Sequence, residues 1–117
     1  MNLVDVVKKQ IELNPNLLYL MGTPEQPRSA ASRQVVDALR QAGLAYAWVD
    51  VAANSEIARA IQQFSGVDGF PQLFVGGRFV GAARDIGRLL QQGRLQPLME
   101  HAMAGARIKP SAAPSGW

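Results

Sequence analysis

The chain is 117 residues long, 48% hydrophobic and 18% charged, and contains no cysteine. That composition excludes a disordered or collagen-like chain, suits one domain with a core of its own, and removes any disulfide framework, thiolate metal site or cysteine nucleophile. The net charge of +3 forms no stripe: Lys8-Lys9 is the one adjacent basic pair and the arginines are scattered from Arg28 to Arg107, which argues against nucleic acid as a partner.

Leu3, Val4, Val7 and Ile11 recur at helical spacing, with Lys8, Lys9 and Glu12 elsewhere on the wheel, until Asn14-Pro15-Asn16 breaks the pattern. Leu17-Leu18-Tyr19-Leu20-Met21 is a short apolar run between turn signals and predicts a strand buried on both faces. Two prolines and a glycine between Gly22 and Arg28 enforce a loop. A helix follows from Ser29 or Ala31, with Val35, Val36, Leu39 and Ala42 on one stripe and Gly43 at its end. Residues 45–51, with Tyr46, Trp48 and Val49, predict a second strand, parallel to the first because a helix connects them.

Asn54 or Ser55 caps a third helix bearing Ile57, Ala60, Ile61 and Phe64, which Gly66 ends. Gln72-Leu73-Phe74-Val75 and Arg78-Phe79-Val80 flank Gly76-Gly77, the signature of a two-residue hairpin turn. A helix over 84–92 stops at Gly93, and another covers 95–104. Ala, Pro, Ser and Gly dominate from Gly105, so residues 1–104 are the expected domain and residues 105–117 an expected disordered tail. No apolar run reaches the roughly 18 residues of a membrane span and no leader pattern opens the chain, so no membrane partner and a cytoplasmic location are expected.

The order helix, βαβ, helix, hairpin, helices is met most simply by an α/β fold with a four-stranded mixed sheet flanked by helices on both faces, the thioredoxin topology. Two strings sharpen this. Leu-Tyr-Leu-Met-Gly-Thr-Pro-Glu-Gln-Pro-Arg-Ser-Ala-Ala-Ser (18–32) resembles the opening of monothiol glutaredoxins, where a strand ends in Lys-Gly-Thr/Ser-Pro and a Pro-containing loop reaches Cys-Gly-Phe-Ser. Gly69-Phe70-Pro71-Gln72-Leu73-Phe74-Val75-Gly76-Gly77 resembles that family's Thr-Phe-Pro-Gln segment and hairpin. The likeness runs in element order from about residue 3 to 104.

The resemblance implies a glutathione groove, glutathione-dependent oxidoreduction and a shared iron–sulfur cluster, yet most functional positions differ. The family's lysine, which meets the glycine carboxylate of glutathione, corresponds to Met21. Its cysteine corresponds to Ser29, and the following Gly-Phe-Ser to Ala30-Ala31-Ser32. The threonine before Phe-Pro is Gly69. The family's Gly-Gly-Cys-Asp, whose aspartate holds the glutathione amino group, aligns without a gap on Gly81-Ala82-Ala83-Arg84; Asp85 matches only with a one-residue shift. So many non-conservative replacements point to a natural degeneration, not to one engineered serine.

An alcohol is far less acidic than a thiol and forms no reducible sulfur–sulfur bond, so the redox cycle fails at its first step. Ser29 is a poor cluster ligand, and no iron–sulfur cluster or metal is expected. An activated serine needs a base, and the only histidine, His101, falls in the last helix, so Ser29 reads as a helix cap. The resemblance implies a cis Pro71 whose neighbour Phe70 offers backbone to an extended peptide. Glutathione would bind there weakly, because the Met21 and Arg84 replacements remove charge-assisted bonds worth about 1.5–3 kcal/mol each. The expected function is therefore a non-catalytic binding module for a peptide, a protein or weakly held glutathione, with partners among redox or iron–sulfur proteins by family analogy. The alternative is glutathione-dependent oxidoreduction or cluster carriage. Trp48 and Tyr46 are expected to pack, Met99 and Met103 to be core, and Trp117 is a candidate anchor for a partner.

Overall fold

The computed structural model describes residues 2–107. Nine elements follow in chain order: α1 (Leu3–Leu13), β1 (Asn16–Leu20), α2 (Ala30–Gln41), β2 (Ala47–Asp50), α3 (Ser55–Ser65), β3 (Gln72–Val75), β4 (Arg78–Gly81), α4 (Ala83–Gln91) and α5 (Leu95–Arg107). They form the expected four-stranded mixed sheet, ordered β2-β1-β3-β4. β1 pairs parallel with β2 and antiparallel with β3, which pairs antiparallel with β4.

Local chemistry sets the helix starts. Asn2, Ser29 and Asn54 each accept a backbone N–H from the third residue onward, that of Asp5 (2.9 Å), Ser32 (3.0 Å) and Ile57 (3.2 Å), so each orphan donor in a first turn finds a partner. Each such cap contributes about 1 kcal/mol.

β1 is buried along its whole length. Its alternating side chains feed two cores. Leu18 and Leu20 meet Val35, Val36, Leu39, Ile86, Leu95 and Met99 from α2, α4 and α5. Leu17 and Tyr19 meet Val7, Ile11, Ile57 and Ile61 from α1 and α3. The apolar interior is thus split by the sheet into two layers rather than being a single mass. Phe74 anchors the second layer, with the Tyr19 ring edge-on at 5.8 Å between centroids.

Several boundaries differ from expectation. β1 begins at Asn16 and stops at Leu20, one residue before Met21; β2 is confined to Ala47–Asp50; β4 reaches Gly81. α5 continues to Arg107, past the expected Ala104, because Gly105 and Ala106 break no helix when a hydrogen-bonded turn is already running. The tail expected at residues 108–117, with Trp117, lies outside the described residues. Trp48 is a correction. The expectation is that it packs, but it lies on β2, an edge strand, with 43% of its surface exposed. Tyr46 does pack against the α2 side, as Met103 does not and Met99 does. No helix among the described residues is long and apolar enough to cross a membrane.

Candidate functional site

Strand direction decides where the site residues fall. β2 and β4 run the same way as β1 and β3 runs against them, so the ends of β1, β2 and β4 and the start of β3 share one end of the sheet. Met21 follows β1 there, Pro71 precedes β3, Gly81 closes β4, and α2 and α4 both begin there. The residues singled out in four separate stretches of sequence are therefore brought to one end, the position where open α/β sheets hold ligands.

The loop after β1 is built by backbone bonding. The Arg28 N–H donates to Met21 O at 2.8 Å, and Thr23 and Gln26 exchange both their backbone bonds at 3.2 and 3.1 Å. Gly22 sits at φ 92° with the Arg28 nitrogen 2.8 Å from where a Cβ would be, and with Gln26 O nearer still. Only glycine fits that turn. Its N–H donates to Asp50 Oδ1 at 2.9 Å, an oxygen that also accepts from Ala52 and Ala53 at 2.9 and 3.3 Å.

Ser29 is half-buried at the N-cap of α2, and its Oγ accepts the Ser32 N–H. Ser32 is fully buried, and its own Oγ accepts the Met21 N–H at 3.1 Å. These two serines hold the start of α2 against the end of β1. The Met21 side chain is half-buried against the α1 and α3 core, as is Phe70.

Phe70-Pro71 is cis, as the resemblance implies. Gln72, immediately after it, is fully buried, and its Nε2 donates to Val67 O (2.9 Å) and Gly69 O (3.0 Å), fixing the approach to β3.

At the fourth stretch Gly81 is buried at φ 153°, with Asp85 Oδ2 2.7 Å from a hypothetical Cβ. Ala82 is the N-cap of α4. It has no side-chain acceptor, so Asp85 works from inside the helix: Oδ2 accepts the Ala82 N–H at 3.1 Å, while Oδ1 accepts from Arg88 at 2.7 Å. The Asp85 carboxylate is thus engaged by its own helix. Arg84 is exposed, and among the described residues it forms no ion pair. Ala83 is half-buried against the α2 side core. His101 lies on α5, outside this set. No group of three or more His, Asp or Glu residues able to hold a metal occurs among the described residues.

Sequence reading missed Ser32, Asp50 and Gln72. Ser32 had a signal, being the one residue of the family's Cys-Gly-Phe-Ser string kept here. Asp50 had none, since its partner Gly22 is 28 residues away.

This architecture, a β2-β1-β3-β4 sheet with α1 and α3 on one face, α2, α4 and α5 on the other, and a cis proline before β3 at the sheet end where α2 and α4 begin, defines a thioredoxin-like domain. The family model for glutaredoxin matches residues 30–80. A probable monothiol glutaredoxin, GrlA, of Legionella pneumophila is 38% identical over 88 residues, covering 75% of this chain and 99% of that one. Glutaredoxin 4 of Escherichia coli strain K12 is 35% identical over 101 residues, covering 86% and 88%. The chain belongs to the glutaredoxin family, and one of these relatives is named a probable monothiol glutaredoxin. Among solved structures it is similar to a monomeric truncated 1-C-Grx1 of Trypanosoma brucei (27% identity, TM-score 0.75, 86% and 91% covered). It shares its fold with buckwheat glutaredoxin, solved as a glutathione complex (19% identity, TM-score 0.76, 87% and 91% covered).

Proposed function

We propose that this glutaredoxin performs no thiol chemistry and acts as a binding module, holding an extended peptide or a protein partner, and glutathione only weakly, at the end of the sheet where Ser29, Phe70, Pro71 and Arg84 fall. The observation that carries this reading is Ser29: it stands at the family's cysteine position in a chain without cysteine, with its oxygen occupied as the α2 cap. Two replacements support it. Met21 turns into the α1 and α3 core instead of presenting a cation. Arg84 sets a positive charge where the family's aspartate would meet an ammonium, which disfavours the glutathione amino group and favours an acidic ligand.

The residues present do not fit an iron–sulfur cluster. Such clusters are held by thiolates, and a serine hydroxyl oxygen that already accepts a helix N–H is no substitute. The alternative of glutathione-dependent oxidoreduction or cluster carriage needs a thiolate that this chain lacks. A cytoplasmic setting, with redox or iron–sulfur proteins as partners, belongs to the same proposal and rests on family membership alone.

Anaerobic reconstitution with iron, sulfide and glutathione, followed by metal and sulfide analysis, tests the reading. We expect neither element to remain after desalting. One cluster per dimer, or reduction of a mixed disulfide by the wild-type chain, overturns it.

A further inference from the structure

β2 is one of the two edges of the sheet, and the register fixes which of its backbone groups are free. The Val51 N–H donates to Leu20 O at 2.9 Å, and β1 and β2 run parallel with Leu18 beside Trp48 and Leu20 beside Asp50. Each residue of a strand directs its N–H and carbonyl to one side, and successive residues alternate. Val51, Val49 and Ala47 therefore bond toward β1, while Trp48 and Asp50 hold their N–H and carbonyl outward. No backbone group from a loop or helix meets these two residues.

Edges are normally blunted by a charged side chain, a proline or a bulge. β4, the other edge, has Arg78 and a register shift between Leu73 and Phe74 of its partner. The stretch 41–54 has no such device: it contains no Lys, Arg or Pro, its one charge is Asp50, and its pairing with β1 is unbroken. Exposed Gly43, Ala45, Ala52 and Ala53 flank β2 with small side chains, which leaves room for another strand. Trp48 stands on this edge with 43% of its surface exposed.

Self-complementarity selects a second copy of the chain as the occupant. Two β2 strands paired antiparallel about a dyad at Trp48 set Trp48 against Trp48 and Asp50 against Tyr46, so outward groups meet outward groups. Trp48 lies on the α2 face, beside Leu18, and the two indoles meet there across the dyad. On the α1 and α3 face, half-buried Ala47 opposes half-buried Val49. Each Asp50 arrives at the Tyr46 of the other copy, where Arg40 is the stronger of the two charges acting on the phenol and Glu25 the weaker. Arg40 also meets Asp37 at 3.6 Å, an exposed pair of little strength. The one acid of the edge is thus brought to a positive neighbour.

We propose that the chain self-associates through β2, two copies joining edge to edge into one continuous sheet with Trp48 at the dyad. So short an edge buries little area, which makes the dimer a transient one. It leaves the sheet end that holds Ser29, Pro71 and Arg84 to its own ligand, and stands or falls independently of that reading.

The test is sedimentation equilibrium of the full chain from about 10 μM to 1 mM, with amide shifts followed over the same dilution series. We expect a monomer–dimer equilibrium with a Kd of about 0.01–1 mM, shifts confined to residues 45–51, and slowed hydrogen exchange at the Trp48 N–H. Mixed labelled and unlabelled chains should show an isotope-filtered contact between Ala47 Hα and Val49 Hα of the two copies, since residues of a non-hydrogen-bonded pair come closest. Trp48→Lys puts a charge on the edge and should weaken association by about tenfold or more, with an unchanged melting temperature because the side chain it replaces is exposed. A chain that stays monomeric at 1 mM, association unchanged in Trp48→Lys, or dilution shifts centred on β4 or α5 overturns the proposal. So does protection of Trp48 that appears only when an unrelated extended peptide is added, which would give the edge to another partner.

Discussion

Ser32 Oγ accepts the Met21 N–H at 3.1 Å, and Ser32 is fully buried. This single bond joins the last residue before the loop to the first turn of α2, so the position of Ser29 depends on it.

Ser32→Ala removes that acceptor and strands the Met21 N–H. The expected cost is about 1–3 kcal/mol, read as a lowered urea midpoint with an unchanged slope. A loss within a few tenths would mean that water replaces the hydroxyl and that the clamp contributes nothing.

Ser29→Cys installs a thiol at the α2 N-cap. Its pKa should fall below the free value of about 8.5 because the helix N-terminus favours the thiolate, measurable from ultraviolet thiolate absorbance against pH. The variant should form a glutathione adduct with oxidised glutathione, and the wild type none. A pKa at or above the free value would show that the cap site lacks the expected field.

Glutathione affinity should rise on restoring the lost charges. Arg84→Asp and Met21→Lys are each expected to tighten binding by about tenfold or more, from charge-assisted bonds of about 1.5–3 kcal/mol. Met21→Lys should also lower the melting temperature, because Met21 packs against the α1 and α3 core. Amide-shift titration following Gly22, Ser32, Gln72 and Gly81 separates the two effects. No gain in the Arg84→Asp protein would dissociate this end of the sheet from glutathione altogether.

Alkaline stability should be governed by Tyr19. Burial pushes its phenol well above the ordinary value near 10, and its hydroxyl donates to Gln10 Oε1 at 2.8 Å. Burial raises Tyr46 as well, with Arg40 opposing. The raised groups hold their protons in the folded chain after the unfolded chain has lost them. Their contribution is therefore complete below about pH 10 and declines as pH rises above it. Urea midpoints measured from pH 8 to 11 should be level and then fall, and Tyr19→Phe should flatten the fall. A midpoint that drops between pH 8 and 9 would contradict this account.

Gly22→Ala should be among the more damaging single changes outside the core, because the turn needs φ 92° and the added methyl meets the loop backbone. A cost above about 1 kcal/mol is expected, seen as a reduced melting temperature. Near-wild-type stability would mean that residues 22–28 re-form in another way.

Much of this was legible in the residues themselves. The helix starts at Ser29 and Asn54, the stop at Gly66 and the Gly76-Gly77 hairpin are each encoded within four or five neighbouring positions, because a cap or turn is satisfied by atoms close in the chain. The apolar run 17–21 declared a strand with no free face, one residue longer than the strand observed, and the two strings around Gly22 and Pro71 carried the family. Residues close in sequence also decided the chemistry that is missing: a chain without cysteine has no thiolate wherever its atoms lie.

Tertiary structure alone decided the rest. That Trp48 is exposed goes with β2 being an edge strand, which no property of the segment 45–51 reveals. The Asp50 bond to Gly22 spans 28 positions and the Asn16 bond to Met99 spans 83. Such pairs exist only after the sheet has been ordered and the helices laid on it, because a polar side chain is specified by the partner that packing delivers, whereas apolar periodicity is specified by the chain's own repeat.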